Sequence, residues 1–256
     1  MLYHFASNYE PLDLDYSLFP APFNTSIDGI RLDTARHVPK PSLSKFQQKV
    51  GVFVTGEALN QSVPFVAQYQ GPLDSAINYP LCEQATFSDA HALTNFLDNH
   101  DQPRFARYLG DGRGDDVLRD ENAATFLFFV TGMPVIYYGF EQRFDGGYDP
   151  INRETMWSSG YNTSVPLYNY IARLNAIRKY AVSVVGKDKF YSEDTVFLGS
   201  SVTHMVMQRG PLALFLTIAF KAGDSLTDLV SCEVVKVGRY GMFVSPSNGG
   251  KAILIW

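Results

Sequence analysis

Short apolar runs, several of them closed by a polar or acidic residue, punctuate the first part of the chain. Residues 27–33 read IDGIRLD, residues 51–57 GVFVTGE, residues 76–81 AINYPL, residues 93–101 LTNFLDNHD and residues 134–141 PVIYYGFE. Near-continuous apolar runs of this length predict strands buried on both faces, as in a parallel sheet. Helical text lies between some of them. Residues 117–130 (VLRDENAATFLFFV) predict a helix that stops at Thr131–Gly132, with Pro134 beyond. Leu167, Ile171, Leu174 and Ile177 form one stripe at helical spacing, and Pro166 stands where a first turn accepts it. Alternating strands and helices, with carboxylates at strand ends, predict an α/β fold of the (β/α) barrel type, whose site lies at the C-terminal face.

The texture changes near Gly186. Residues 195–199 (TVFLG), 203–208 (THMVMQ), 212–220 (LALFLTIAF), 234–238 (VVKVG) and 251–256 (KAILIW) are β-type runs separated by Gly, Ser, Asp and Asn, without an intervening helical pattern. They predict an antiparallel β module. The expected organisation is a barrel domain over residues 1–186 and an all-β domain over residues 187–256.

Composition narrows the field. The chain of 256 residues is 46% hydrophobic and 18% charged, which suits a globular core. A net charge of −5, with no basic cluster, argues against nucleic acid as a partner. No stretch is long and apolar enough to span a bilayer, and the start, MLYHFASNYEP, does not read as a signal peptide. Cys82 and Cys232 allow one bridge or none. Asn24, Asn60 and Asn162 each open an N-x-S sequon, which permits glycosylation in a secretory pathway. The 15 Tyr and 19 Phe supply core, and equally flat apolar platforms of the kind that hold sugar rings.

The candidate chemistry lies in carboxylates. Asp33, Glu57 and Asp101 each close a different apolar run, so a barrel converges them on one rim. Arg31 stands two residues before Asp33, and His100 precedes Asp101. Two carboxyl groups flanking one bond are what retaining glycoside hydrolysis requires: one attacks the anomeric carbon, the other protonates the leaving oxygen. A lone strand-end carboxylate is more often solvated or caps a helix; three together point to chemistry.

At this point a resemblance becomes specific. DGIRLDTARHV at residues 28–38 resembles the nucleophile segment of glycoside hydrolase family 13, and FVTGEAL at residues 53–59 its general-acid segment. FLDNHDQPRF at residues 96–105 is similar to the segment with the third carboxylate. Residues 132–157, GMPVIYYGFEQRFDGGYDPINRETMW, resemble the eighth strand and its loop in the fungal alpha-amylases of that family. PLDLD at residues 11–15 resembles a calcium-loop segment with its first two residues exchanged. The resemblance implies an incomplete (β/α)8 TIM barrel, about strands 4–8, followed by a C-terminal antiparallel β-sandwich.

The roles it implies are as follows. Asp33 is the nucleophile, Glu57 the acid/base, which needs a raised pKa, and Asp101 the stabiliser of the distorted sugar. Arg31 orients Asp33, and His100 donates to a sugar hydroxyl. Arg36 and His37 line the leaving-group side, with Arg36 where the family often has Lys; Asp149 and Arg153 line the opposite side. A structural Ca2+ is implied near the His37 backbone, with Asp13 as an oxygen ligand. The implied substrate is an α-1,4-linked glucan such as starch or glycogen, and the implied full-length form is a secreted monomer.

The chain departs from the family pattern in lacking the first three barrel strands and their Asn-His segment. Residues 13–33 and 81–93 are short for the crossovers expected there. The expectation is therefore a part of a longer protein. Three readings stay open: an alpha-amylase completed by a longer chain, a catalytically inactive remnant, and a non-hydrolytic carbohydrate-binding relative. Loop lengths would decide between an amylase and an α-glucosidase or transglycosylase.

Overall fold

The structure is a computed structural model that describes residues 27–80, 86–109, 116–200, 205–209, 212–214, 225–227, 234–236 and 254–255. Asp13, Asn24, Cys82 and Cys232 lie outside the described residues. The chain divides into two compact units, Met1–Asn95 and Phe96–Trp256.

The first unit is a parallel wall. Strand β1 (Gly29–Leu32) leads into helix α1 (Lys40–Val50), which returns the chain to β2 (Phe53–Gly56). Pro41 sits in the first turn of α1, and Gly51, at φ 64°, takes the left-handed conformation that ends it. The short helix α2 (Val63–Ala67) precedes β3 (Ser75–Ala76), and β4 (Thr94–Asn95) closes the unit. β1 pairs with β2 and β2 with β3, all parallel, and a parallel bridge joins Ile77 to Thr94. Leu43, Val50, Val54, Val66, Leu73 and Leu93 fill the core behind this wall. A lateral line of hydroxyls crosses it: Thr55 Oγ1 meets Ser75 Oγ at 3.1 Å and Thr94 Oγ1 at 3.0 Å.

The predicted third, fourth and fifth strands prove much shorter than their apolar runs. In the run at residues 93–101 only β4 is strand, and the rest turns. β5 is Met133–Pro134; beyond it the chain reaches Gly139 at φ 83°, which a side chain at this position would not tolerate, since a Cβ would meet the Phe144 ring at 2.1 Å.

In the second unit two long helices carry the core. α3 (Asp116–Phe129) and α4 (Pro166–Val185) pack through Thr125 Oγ1 and Tyr170 Oη, 2.8 Å apart. The buried stripe of α4 is Leu167, Tyr170, Leu174, Ile177 and Ala181, at spacings of three and four. Ile171, expected on that stripe, is only partly buried, and Tyr170 takes the inward place. Truncating Leu174, fully buried, to Ala costs about 2–5 kcal/mol.

A helix that the sequence pattern missed, α5 (Lys187–Ser192), follows Gly186 and buries Phe190 in the same core. The β-rich text begins after it. β6 (Thr195–Ser200), β7 (Met205–Arg209), β8 (Leu212–Leu214) and β11 (Leu254–Ile255) form one antiparallel sheet in the order β11-β8-β7-β6. β9 (Ser225–Thr227) and β10 (Val234–Lys236) pair antiparallel apart from it. Met207 reaches back into the core of α3 and α4.

Two buried arginines satisfy the carbonyls at the end of α3. Arg178 donates to Phe128 O and to Gly132 O, and Arg209 donates to Val130 O at 2.9 Å. A helix C-terminus carries partial negative charge, so cations suit it. Burial lowers both guanidinium pKa values, that of Arg209 to about 10. Among the described residues no helix is long and apolar enough to cross a membrane.

Candidate active site

The ends of β1 and β2 bring two predicted residues together. Glu57 continues the parallel ladder, its N–H donating to Leu32 O at 2.8 Å. Asp33 follows Leu32, and Thr34, at φ 50°, turns the chain into the short 3-10 helix Ala35–His37. That turn aims the Thr34 N–H at Glu57 Oε2, 2.9 Å away. Tyr79 Oη donates to the other oxygen, Oε1, at 3.2 Å. Glu57 is 5% exposed, so each carboxylate oxygen is held in a dry setting by a fixed donor. Asp33 is more open and is held by Arg31, whose Nη1 donates to Oδ1 at 2.7 Å. A buried carboxyl beside a more exposed, guanidinium-held carboxylate is a pair that can divide proton transfer and nucleophilic attack.

Gly56 permits the approach. A Cβ there would meet Leu73 Cδ1 at 2.4 Å and the Ala35 methyl at 3.1 Å. Arg36 joins the loops after β1 and β2, donating through Nη1 to Leu59 O at 2.8 Å and through Nε to His37 Nε2 at 3.1 Å. Arg36 and His37 are both exposed.

Four further predicted residues meet in the second unit. His100 Nε2 lies 3.4 Å from Asp101 Oδ2, and Arg153 Nη2 lies 3.7 Å from Asp101 Oδ1. Arg153 Nε pairs with Asp149 Oδ1 at 2.7 Å and donates to His100 O at 3.2 Å. Asn99 fixes the turn beneath them, its Oδ1 accepting the N–H groups of Asp101 and Gln102, both at 2.9 Å. Asp101 and His100 are each about one-third exposed, open enough to meet a ligand.

Sequence reasoning missed Tyr79, Asn152, Arg104 and Glu154. Tyr79 stands inside the run at residues 76–81, three residues beyond the end of β3, so it lacks the run-closing position that marks Asp33 and Glu57. The other three stand inside the motif segments at residues 96–105 and 132–157, and their roles rest on partners about fifty residues away in the chain.

For calcium, the described residues offer few donors. His37 Nε2 is taken by Arg36, and an imidazole is in any case a poor match for a hard cation. No group of three or more His, Cys, Asp or Glu side chains comes together to hold a metal among the described residues. His37 could contribute its carbonyl to an ion that takes six to eight oxygens; Asp13, the other expected ligand, lies outside the described residues, and no step is drawn through a metal.

The model of the alpha-amylase catalytic domain matches residues 74–166, a span that holds Asp101, Asp149 and Arg153. Alpha-amylase 1 of Schwanniomyces occidentalis is 32% identical over 269 residues, covering 89% of this chain and 51% of the relative. The alpha-amylase of Saccharomycopsis fibuligera is 31% identical over 270 residues, covering 91% and 53%. Among solved structures, an alpha-amylase from Malbranchea cinnamomea superposes with a TM-score of 0.79 at 29% identity, covering 90% of this chain and 56% of that one. The chain spans about half the length of the curated relatives it matches. By segment, fold and relatives alike, it is an alpha-amylase-like chain of glycoside hydrolase family 13.

Proposed function

We propose that the protein of which this chain is part hydrolyses α-1,4-glucosidic bonds of starch- or glycogen-type glucans with retention of configuration. The observation that carries this is the Thr34–Glu57 hydrogen bond, which ties the candidate acid to the peptide that follows the candidate nucleophile. Asp33 attacks the anomeric carbon while Glu57 passes its proton to the departing glycosidic oxygen. The glucosyl ester on Asp33 is then cleaved by water, whose proton Glu57 takes. Arg31 orients Asp33. Asp101 faces the developing positive charge of the sugar, and His100 donates to a ring hydroxyl. Asp149 and Arg153 bind glucose units on one side of the scissile bond, Arg36 and His37 on the other. Calcium is consistent with the family in general.

The proposed frame is the later part of an eight-stranded barrel followed by a β-sandwich. The same reading places the protein outside the cell. The exposed Asn162, one of the three sequon asparagines, is open to glycosylation there.

The test is reducing-end release from soluble starch, with the anomer of the first product followed by polarimetry. Replacement Asp33→Asn should abolish release, and α-configured product should form first. A folded parent without release, or β-configured first product, removes the proposal.

A further inference from the structure

Beneath His100 and Asp101 lies a buried cation that the proposed chemistry does not use. Arg104 is fully buried. Its Nε donates to Glu154 Oε2 at 3.0 Å, its Nη1 donates to Tyr138 O at 2.6 Å, and Nη1 lies 3.7 Å from Asp98 Oδ2. The guanidinium carbon stands 4.1 Å from the centre of the Tyr137 ring, 5.0 Å from Tyr138 and 5.5 Å from Phe144. A planar guanidinium both stacks on rings and forks toward carboxylates, which an ammonium cannot do.

The contacts to Glu154, Tyr138 and Phe144 tie the loop at residues 138–154 to the segment at residues 98–105. The Arg104 N–H donates to Gly146 O at 2.9 Å. Glu154 Oε1 accepts the Gly146 N–H at 2.6 Å, and Glu154 O accepts from Tyr138 Oη at 2.8 Å. Asn152, fully buried, donates to Gln102 O at 2.8 Å. The neighbours so fixed are Asp101 on the segment and Asp149 and Arg153 on the loop. Tyr137, pinned on one side by Arg104, has its ring centre 6.4 Å from that of His100.

We infer that Arg104 and Glu154 are positioning residues: their ion pair clamps the 138–154 loop onto the 98–105 segment and so sets the placement of Asp101 and Arg153 toward substrate. The inference rests on the proposed glycosidase reading of Asp101. Misplacing a catalytic group by about 1 Å is enough to cost about 100-fold in rate, even when the change lies away from the reacting atoms.

The experiment uses the full chain with Glu154→Gln, which keeps shape and loses charge, and Arg104→Lys, which keeps charge and loses the fork. Amide hydrogen exchange at Gly146 and Arg104 should rise at least about tenfold in Glu154→Gln, while the amides of α4 exchange as in the parent. On maltooligosaccharides kcat should fall about 10–100-fold, with a smaller change in KM, and Arg104→Lys should behave like Glu154→Gln. Unchanged exchange at Gly146, a change confined to KM, or full activity of Arg104→Lys overturns the inference. Loss of the whole fold in Glu154→Gln overturns it too, since the pair would then be a folding element. A folded parent that cleaves no glucan removes the proposed function instead, and the exchange measurement still decides whether the pair holds the loop.

Discussion

Thr34 and Glu57, 23 residues apart, meet in a hydrogen bond of 2.9 Å from the Thr34 N–H to Oε2. A backbone donor cannot swing away as a side chain can, so one oxygen of the carboxyl is fixed by the path of the chain itself. The other oxygen, Oε1, accepts from the Tyr79 hydroxyl at 3.2 Å, a donor on a side chain.

Tyr79→Phe tests that contact. The substitution keeps the ring and removes one hydrogen bond to a group that ionises, a contact worth about 1.5–3 kcal/mol. If the proton transfer proposed for Glu57 is correct, kcat on starch falls about 10–100-fold while binding of maltooligosaccharide changes little. Equal kcat in the two proteins would show that Oε1 needs no such support.

How much of this was legible in the sequence follows from the range of the forces involved. The pairing of the Asp33 and Glu57 segments could be read because the parallel strands β1 and β2 deliver the residues that follow them to the same end, a rule local to each strand, whereas Asp101 lies in a turn six residues beyond β4. The α4 stripe was legible for the same reason, apart from the exchange of Ile171 for Tyr170. That exchange depends on Thr125 of α3, whose hydroxyl gives the Tyr170 phenol a partner inside the core. α5 was missed because its six residues are too few to show a period, and Phe190 earns its burial from α4 and Met207. Arg104 was illegible as a buried cation, since Asp98 precedes it by six residues while Glu154 follows fifty later. No local pattern encodes a partner at that distance.

Arg178 offers a stability test far from the candidate site. Arg178→Met keeps an apolar stem but removes the guanidinium, with its stacking over the rings of Phe190 and Tyr191 and its donors to Phe128 O and Gly132 O. A buried carbonyl left without a partner costs about 1–3 kcal/mol. For a domain of this size each kcal/mol lowers Tm by about 2–4 °C. Calorimetry should show a fall of that order, and an unchanged or raised Tm would mean that burying the cation costs as much as its hydrogen bonds return.

Gly146 tests the loop by crowding. A Cβ there would lie 2.1 Å from Ile151 O and 2.7 Å from Glu154 Oε1, and the first of these is backbone that cannot rotate aside. Gly146→Ala should cost about 1–3 kcal/mol in stability, as overpacking of a tight site does. It should also speed exchange at residues 149–153 before it affects α4. Denaturant melts and exchange on the same protein check both, and a neutral substitution would show that the loop has slack.

Asp98 makes stability depend on pH with a definite sign. Its carboxyl is almost fully buried, and burial raises its pKa from 3.8 to about 6, against the opposing pull of Arg104 and the Phe105 N–H and with a small push from Glu154. In the unfolded chain the group keeps the ordinary value, so through the window from about pH 4 to about pH 6 the folded state binds more protons than the unfolded one. Stability from this group is therefore full below about pH 4 and is lost as pH rises through about 6, a change on the order of 3 kcal/mol at 1.36 kcal/mol per pH unit. Asp98→Asn removes the titration while keeping the shape, and all other ionising groups are common to the two proteins. The difference in unfolding free energy between parent and Asp98→Asn, measured by urea melts at several values from pH 4 to pH 7.5, should move steadily against the parent across that window and then level. A difference independent of pH would show that Arg104 holds Asp98 ionised throughout that window.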